Sequence, residues 1–467
     1  MTVRRTPTYP TPLKLDSIDD IKSYLLRLHN SLSQEGHTRL RDFDATKIGN
    51  SPHVDVRTYG ANGDGVTDDT LAIQSAIDVT SGNTERSVVF LPSGVYVVGA
   101  LTLRDGTEIR GEGETSIIRH RAASTSHLFT LGTRNVHGVS IQGVMLDGNK
   151  ANQTNAVDVI HLDNTGGTFP YCDDPLHTLT NIYIYQPKRD GVYFGASGTA
   201  TQGCVLTNVY VYQADRYGFN LAGADNRYIA CHAGNCANHG WYISEGSSTF
   251  IGIMGYGSDG SGAYVTATAT SAQFIGCHFQ ENAGNGMTID GGGGHVLSGC
   301  VLDYNDNGLV LTGKTQYNTV GDSKCSENTT YELSVGSECG YNKIQIMVGE
   351  VSKINIAEAN NEIHINNQEG YREITYAATI TPEPYYGSWV YVLLTGNITF
   401  NPPSSDHAGC TLKFMLLQDG SGGHTITFDA AYKTTWTPAK TANKYDLIEF
   451  VFDGASWIEK SSRTGVG

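Results

Sequence analysis

Three short segments hold the side chains with the most chemical potential. They are Lys188-Arg189-Asp190-Gly191, Asp215-Arg216-Tyr217-Gly218 and Asn238-His239-Gly240. Asp190 and Asp215 are the candidate acid and base pair, and His239 is placed to assist. Two like charges held close together raise the pKa of one carboxyl, which is what a general acid needs. Arg189 and Arg216 both stand two residues before a glycine. Their planar forks could grip an anionic ligand bidentately, or pair with Asp190 and Asp215. Tyr193, Tyr242 and Tyr264 all stand two residues after a glycine. They could offer ring faces to a ligand or stack on one another. Glu245 is a further carboxylate on the same stretch, placed here among the substrate-binding candidates. Upstream, His161 and Asp163 share the polar face of a segment that also holds Asp158, Ile160 and Leu162. No cofactor and no metal site are expected, because the nearest cysteines, Cys231 and Cys236, lack a second pair at metal-binding spacing.

A repeat positions these groups. Six segments read x-Gly-apolar-x-apolar, with glycines at 191, 218, 240, 262, 286 and 308. A weaker seventh copy is Thr330-Tyr331-Glu332-Leu333-Ser334-Val335. A period of 20–30 residues, made of short strands and Gly/Asn/Asp turns, predicts a parallel β-helix. Side chains alternate along a strand, so the positions one and three after each glycine should face inward and the position two after should face solvent. Cys231, Cys277 and Cys300 should stack inside as small apolar groups. Thr67-Asp68-Asp69-Thr70 should cap a short helix running through Ala72, Ile73, Ala76 and Ile77. Residues 164–180 interrupt the repeat, and their Asp173, Asp174 and His177 could reach over the coil that carries Asp190.

The flanks differ from the repeat. Ile18, Ile21, Leu25, Leu28 and Leu32 form a short heptad seam, which suits either a helix packed on its own domain or one that gathers copies of the chain. Residues 369–467 alternate like strands and have Gly/Asp turns, which predicts an antiparallel β-sandwich. The expected division is 1–50 helical, 51–368 β-helix and 369–467 sandwich. The class is all-β.

Composition narrows the function. The chain has 467 residues with 31 Lys plus Arg, 47 Asp plus Glu and a formal charge of −16. That balance opposes nucleic-acid binding. No run is long and apolar enough for membrane insertion, and no signal peptide is legible. The nine cysteines read as free thiols of a protein folded in a reducing compartment.

Residues 54–118, from Val54-Asp55-Val56-Arg57-Thr58-Tyr59-Gly60 through Ile117-Ile118, closely resemble the opening of the pectate-lyase-like superfamily of right-handed parallel β-helices. The wording at Gln418-Asp419-Gly420-Ser421-Gly422-Gly423 and Asp453-Gly454-Ala455-Ser456-Trp457 looks like a module of phage tail proteins. Together they resemble a phage or prophage tailspike depolymerase. That resemblance implies a homotrimer on the virion tail, in contact with other tail proteins, that acts on a bacterial surface polysaccharide.

It also sets Asp190 and His239 on positions matching the Asn-Thr-Asp-Gly and Gly-His-Gly motifs of polygalacturonase-type hydrolases. The central Asp-Asp and the later Arg-Ile-Lys of those enzymes are missing here. The leading expectation is hydrolysis by Asp190 and Asp215. A lyase, a receptor-binding tail protein without catalysis and a secreted pectin-type hydrolase are the alternatives.

Overall fold

The computed structural model describes residues 53–467, apart from 81–86, 133–135, 164–176, 196–200, 351–352, 358–359, 368–370, 383–388 and 404–410. The expected amino-terminal helix and most of the 164–180 interruption, with Asp173 and Asp174, lie outside the described residues.

The repeat folds as a parallel β-solenoid. Successive coils pair in register through two sheets, one long (19 strands) and one short (11 strands). In the short sheet the residue after each glycine stacks on its counterpart, running Val192, Phe219, Trp241, Ala263, Met287, Leu309 and Leu333. The last of these belongs to the seventh copy, where Glu332 stands in the glycine position. Val192, Phe194, Phe219, Leu221, Trp241 and Ile243 are fully buried, as the alternation requires. Phe219 lies flat on Trp241 at 3.9 Å, and Tyr228, Phe250 and Phe274 form a second internal stack.

The repeat glycines do not serve as turn residues, because none of the six has a positive φ. They are needed because adjacent coils approach too closely for a side chain. A Cβ on Gly218, Gly240, Gly262 or Gly286 would lie 2.7–2.9 Å from the carbonyl oxygen of the next repeat glycine. At Gly191 it would also meet Val211 Cγ1 at 2.3 Å. The left-handed bends of the long sheet fall elsewhere, at Asn181, Asn208, Ala230, Gly252, Gly276 and Gly299. Cys231, Cys277 and Cys300 directly follow three of these bends and are buried free thiols.

The helix Thr70–Thr80 packs on the first coils through Ile73, Ala76 and Ile77. Asp68 accepts from the Thr70 amide at its start. Asp69 turns away from the helix and accepts from the amides of Asn62 and Gly63 instead. Among the described residues no helix is long and apolar enough to cross a membrane.

A second core, from Ile380 to Trp457, fills the carboxy-terminal region. Its antiparallel part comprises Thr411–Gln418, Tyr445–Phe452 and Trp457–Val466. Other pairings there are parallel, such as Val390 with Phe414 and Ile398 with Ile426. The chain thus keeps a coil-like path before it reverses. The final hairpin turns at Asp453, whose Oδ1 accepts from the amides of Ala455 and Ser456, and at Gly454 with φ 100°.

Candidate functional site

The chemistry-bearing residues converge on the outer face of the short sheet. Coil stacking aligns His127, Asp158, Asp190, Tyr217 and His239 in one column, and His161, Tyr193, Asn220, Tyr242 and Tyr264 in another.

Asp158 organises the first end. It is fully buried and accepts from Arg189 Nε at 2.6 Å, Arg189 Nη2, the Asp190 amide at 3.0 Å and His161 Nδ1 at 2.7 Å. Burial pushes its carboxyl up, but the bonds from His161 and Arg189 outweigh that and hold it below the ordinary value. The bond fixes a proton on His161 Nδ1, so in the neutral ring the lone pair lies on Nε2. The ring is clamped between His127 at 3.9 Å and Tyr193 at 4.3 Å, nearly parallel to both. The side chain remains 19% exposed. Asp158 and His161 therefore form a dyad in which the carboxylate orients the imidazole.

Arg216 and Asp190 repeat this pairing one coil on. Arg216 Nε donates to Asp190 Oδ1 at 2.8 Å and Nη2 donates to Oδ2. Asn220 Nδ2 adds a bond of 2.9 Å. The two guanidinium groups also lie over aromatic rings, Arg189 over Tyr193 and Arg216 over Tyr217.

His127, Asp158 and His161 stand close enough together to raise the question of a metal. Their arrangement does not fit one. A metal bonds in the plane of each imidazole ring, and two parallel rings 3.9 Å apart share no such point. The Nδ1 lone pair of His127 already accepts from the Asp158 amide at 2.9 Å.

The structure revises several expectations from the sequence. Asp190 and Asp215 are not joined as a pair. Asp190 is completely buried on Arg216, whereas Asp215 turns to Lys150 and Lys188 at 2.9 and 3.0 Å. Burial raises the Asp215 carboxyl, but the two lysines outweigh it and hold it below its usual value, the reverse of what a general acid needs. His239 is turned so that its Nδ1 accepts from the Ser261 amide at 2.9 Å, which consumes the lone pair. Burial lowers its pKa to about 4, so it is a neutral donor through Nε2. Glu245 is sealed inside, bonded to Asn226 and Tyr228, with burial raising its carboxyl to about 7. It cannot touch a ligand outside the coil. His177 points into the core and is fully buried.

Tyr193, Tyr242 and Tyr264 are half-buried on the outer face, as alternation predicts. Tyr264 donates to Asp290, and burial together with that bond raises its phenol to about 12. Tyr217, His239, Tyr242 and Tyr264 stack on one another. Asn220 occupies an outward position yet is only 8% exposed, because it serves Asp190. The dyad role of Asp158 was missed. Its signal was the three-residue spacing to His161, with Asp158 standing where Asp190 stands in the next coil.

Residues 53–246 match a family model described as rhamnogalacturonase A/epimerase, pectate lyase-like. Mannuronan C5-epimerase AlgE6 of Azotobacter vinelandii is 34% identical over 116 residues, which is 22% of this chain and 13% of that protein. The chain thus spans only a small part of that relative's length. The solved A-module of the same epimerase superposes with a TM-score of 0.54 at 18% identity, covering 80% of this chain and 99% of that one. The tailspike protein 2 enzymatically active domain of bacteriophage CBA120 superposes with a TM-score of 0.46 at 12% identity, covering 85% and 60%.

The fold is thus a parallel β-helix, and its first half carries the pectate-lyase-like match. Its carboxy-terminal residues 380–457 match a second model, described as a putative phage tail fibre C-terminal domain.

Proposed function

We propose that the protein is a tail-borne enzyme that processes an acidic bacterial surface polysaccharide by proton transfer on the outer face of the short sheet. The observation that carries this reading is the Asp158–His161 dyad, with Arg189 held on the same carboxylate. A lyase or epimerase removes the proton next to a sugar carboxylate. It needs a base for that proton and a cation for the carboxylate. His161 supplies the base. Arg189 and Arg216, 26% and 37% exposed, supply the cations. Tyr193 and Tyr242 flank the path of the chain. Two-carboxylate hydrolysis by Asp190 and Asp215 is the weaker reading, because arginine and lysine neutralise both groups.

The phage-tail-fibre match of residues 380–457 supports a virion tail location, where a homotrimer and contacts to other tail proteins are proposed. Incubation with uronate-bearing capsule preparations tests the chemistry. Unsaturated product, or loss of solvent-exchangeable label at the carbon next to the carboxylate, is the expected result. New reducing ends without either signal would replace this reading with hydrolysis.

A further inference from the structure

A groove of about 710 Å³ opens on the long sheet, away from the strands that carry the dyad. Its size falls within the roughly 300–1,000 Å³ range of small-molecule sites. Its floor is the column where the sheet bends, at Gly113, Gly143, Asn181 and Asn208, all with left-handed φ. The two glycines put bare backbone on the floor at one end. At the other end Asn208 Nδ2 donates to Asn181 Oδ1 at 2.8 Å. That direction leaves an amide donor at one end of the pair and an amide acceptor at the other.

One wall is aromatic and braced. Tyr183 stacks on Tyr210 at 5.0 Å, His232 leans on Tyr210 at 5.4 Å, and the Tyr210 hydroxyl bonds that of Tyr256. Burial holds His232 below its usual pKa and the Tyr183 phenol above its own, so both present uncharged polar groups. Glu114 adds an exposed carboxylate to the lining, close enough for its charge to act on Tyr183. Among the described residues no Lys or Arg lines the groove.

We infer that this groove is a second, non-catalytic binding site for an uncharged saccharide segment. Hydroxyl-rich ligands need what it offers: alternating donors and acceptors, one carboxylate acceptor and rigid ring edges for the apolar patches of a sugar. An acidic sugar would meet Glu114 with no cation to offset the repulsion. A lone carboxylate also lacks the partner that glycosidic hydrolysis requires. The short-sheet face is the opposite case, because two arginines line it. The groove does not rest on the reading of that face.

The test is calorimetric titration of the full chain with cellohexaose, maltohexaose and mannohexaose, and with hexagalacturonate as the acidic comparison. At least one neutral hexasaccharide should bind. Glu114→Ala and Tyr183→Ala should each weaken that binding at least about fivefold, the loss expected from one hydrogen bond or contact. Glu114 is exposed, so its variant tests the groove without a folding penalty. His161→Ala should leave the affinity within about twofold. The inference fails if no neutral probe binds, if hexagalacturonate binds as tightly, or if His161→Ala abolishes the binding and the groove variants do not.

Discussion

The backbone amide of Asp190 donates a hydrogen bond to the carboxylate of Asp158, 3.0 Å away on the preceding coil. The two aspartates are successive rungs of one column, each gripped by the arginine of the following coil. They form a buried anionic spine that holds Arg189, Arg216 and His161 in place.

Removing one arginine should expose the cost of that spine. In Arg189→Ala, Asp158 stays fully buried and loses its bidentate partner. A stranded buried charge of this kind costs about 3 kcal/mol. Urea unfolding should show the loss, and Asp158→Asn in the same chain should recover much of it.

Catalytic variants should separate the two carboxylate readings. His161→Gln keeps a polar side chain but loses the base, so turnover should fall by about 10²–10⁴. Asp215→Asn should leave turnover within about threefold, because Asp215 serves only Lys150 and Lys188. Initial rates of product formation check both. A large loss in Asp215→Asn would restore the hydrolytic pair.

Acid should unfold the solenoid early. Burial, the largest cause in each case, lowers His120, His127, His177, His239 and His295 to about 4. In the unfolded chain they titrate near 6.5. Between those values the unfolded chain binds more protons, so stability is complete above about 6.5 and falls as the pH drops. Each group adds a slope of up to about 1.4 kcal/mol per pH unit, less where water screens it. Asp158 and Asp215, held low, keep their contributions until more acidic pH. The urea midpoint should be flat above neutrality and drop steeply from about pH 6.5 to 4. A flat midpoint across that interval would contradict the assignment.

A methyl group in the glycine column should be poorly tolerated. At Gly218 a Cβ would meet Ala233 Cβ and the Gly240 carbonyl oxygen, both at 2.7 Å. Neither neighbour can swing aside, so Gly218→Ala should cost about 1–3 kcal/mol through overpacking. Gly299→Ala is the contrast. Its Cβ meets open space but its φ is +64°, so the loss there comes from backbone strain.

The solenoid was legible because its spacing is local and repeated: one glycine and two inward apolar residues per coil. The column of tyrosines followed from alternation alone. The partners of the charged residues were not legible. Asp190 and Asp215 look equivalent as text, yet Asp190 lies immediately before its glycine and is buried against Arg216 and Asn220. Asp215 stands two residues earlier and faces two lysines. Glu245 was read as exposed because a carboxylate usually is, but it follows the strand into the core. The tautomers of His161 and His239 depend on contacts from other coils, which a linear reading does not see.

Each repeat glycine allows a close approach to the carbonyl of the next coil. Each coil pairs with the coils on either side of it, so the molecule can gain or lose a whole coil by duplication or recombination. Length and the number of outward-facing rungs become properties that evolution counts in units of one coil. Outward side chains on either sheet can then be exchanged while the ruler beneath them stays the same.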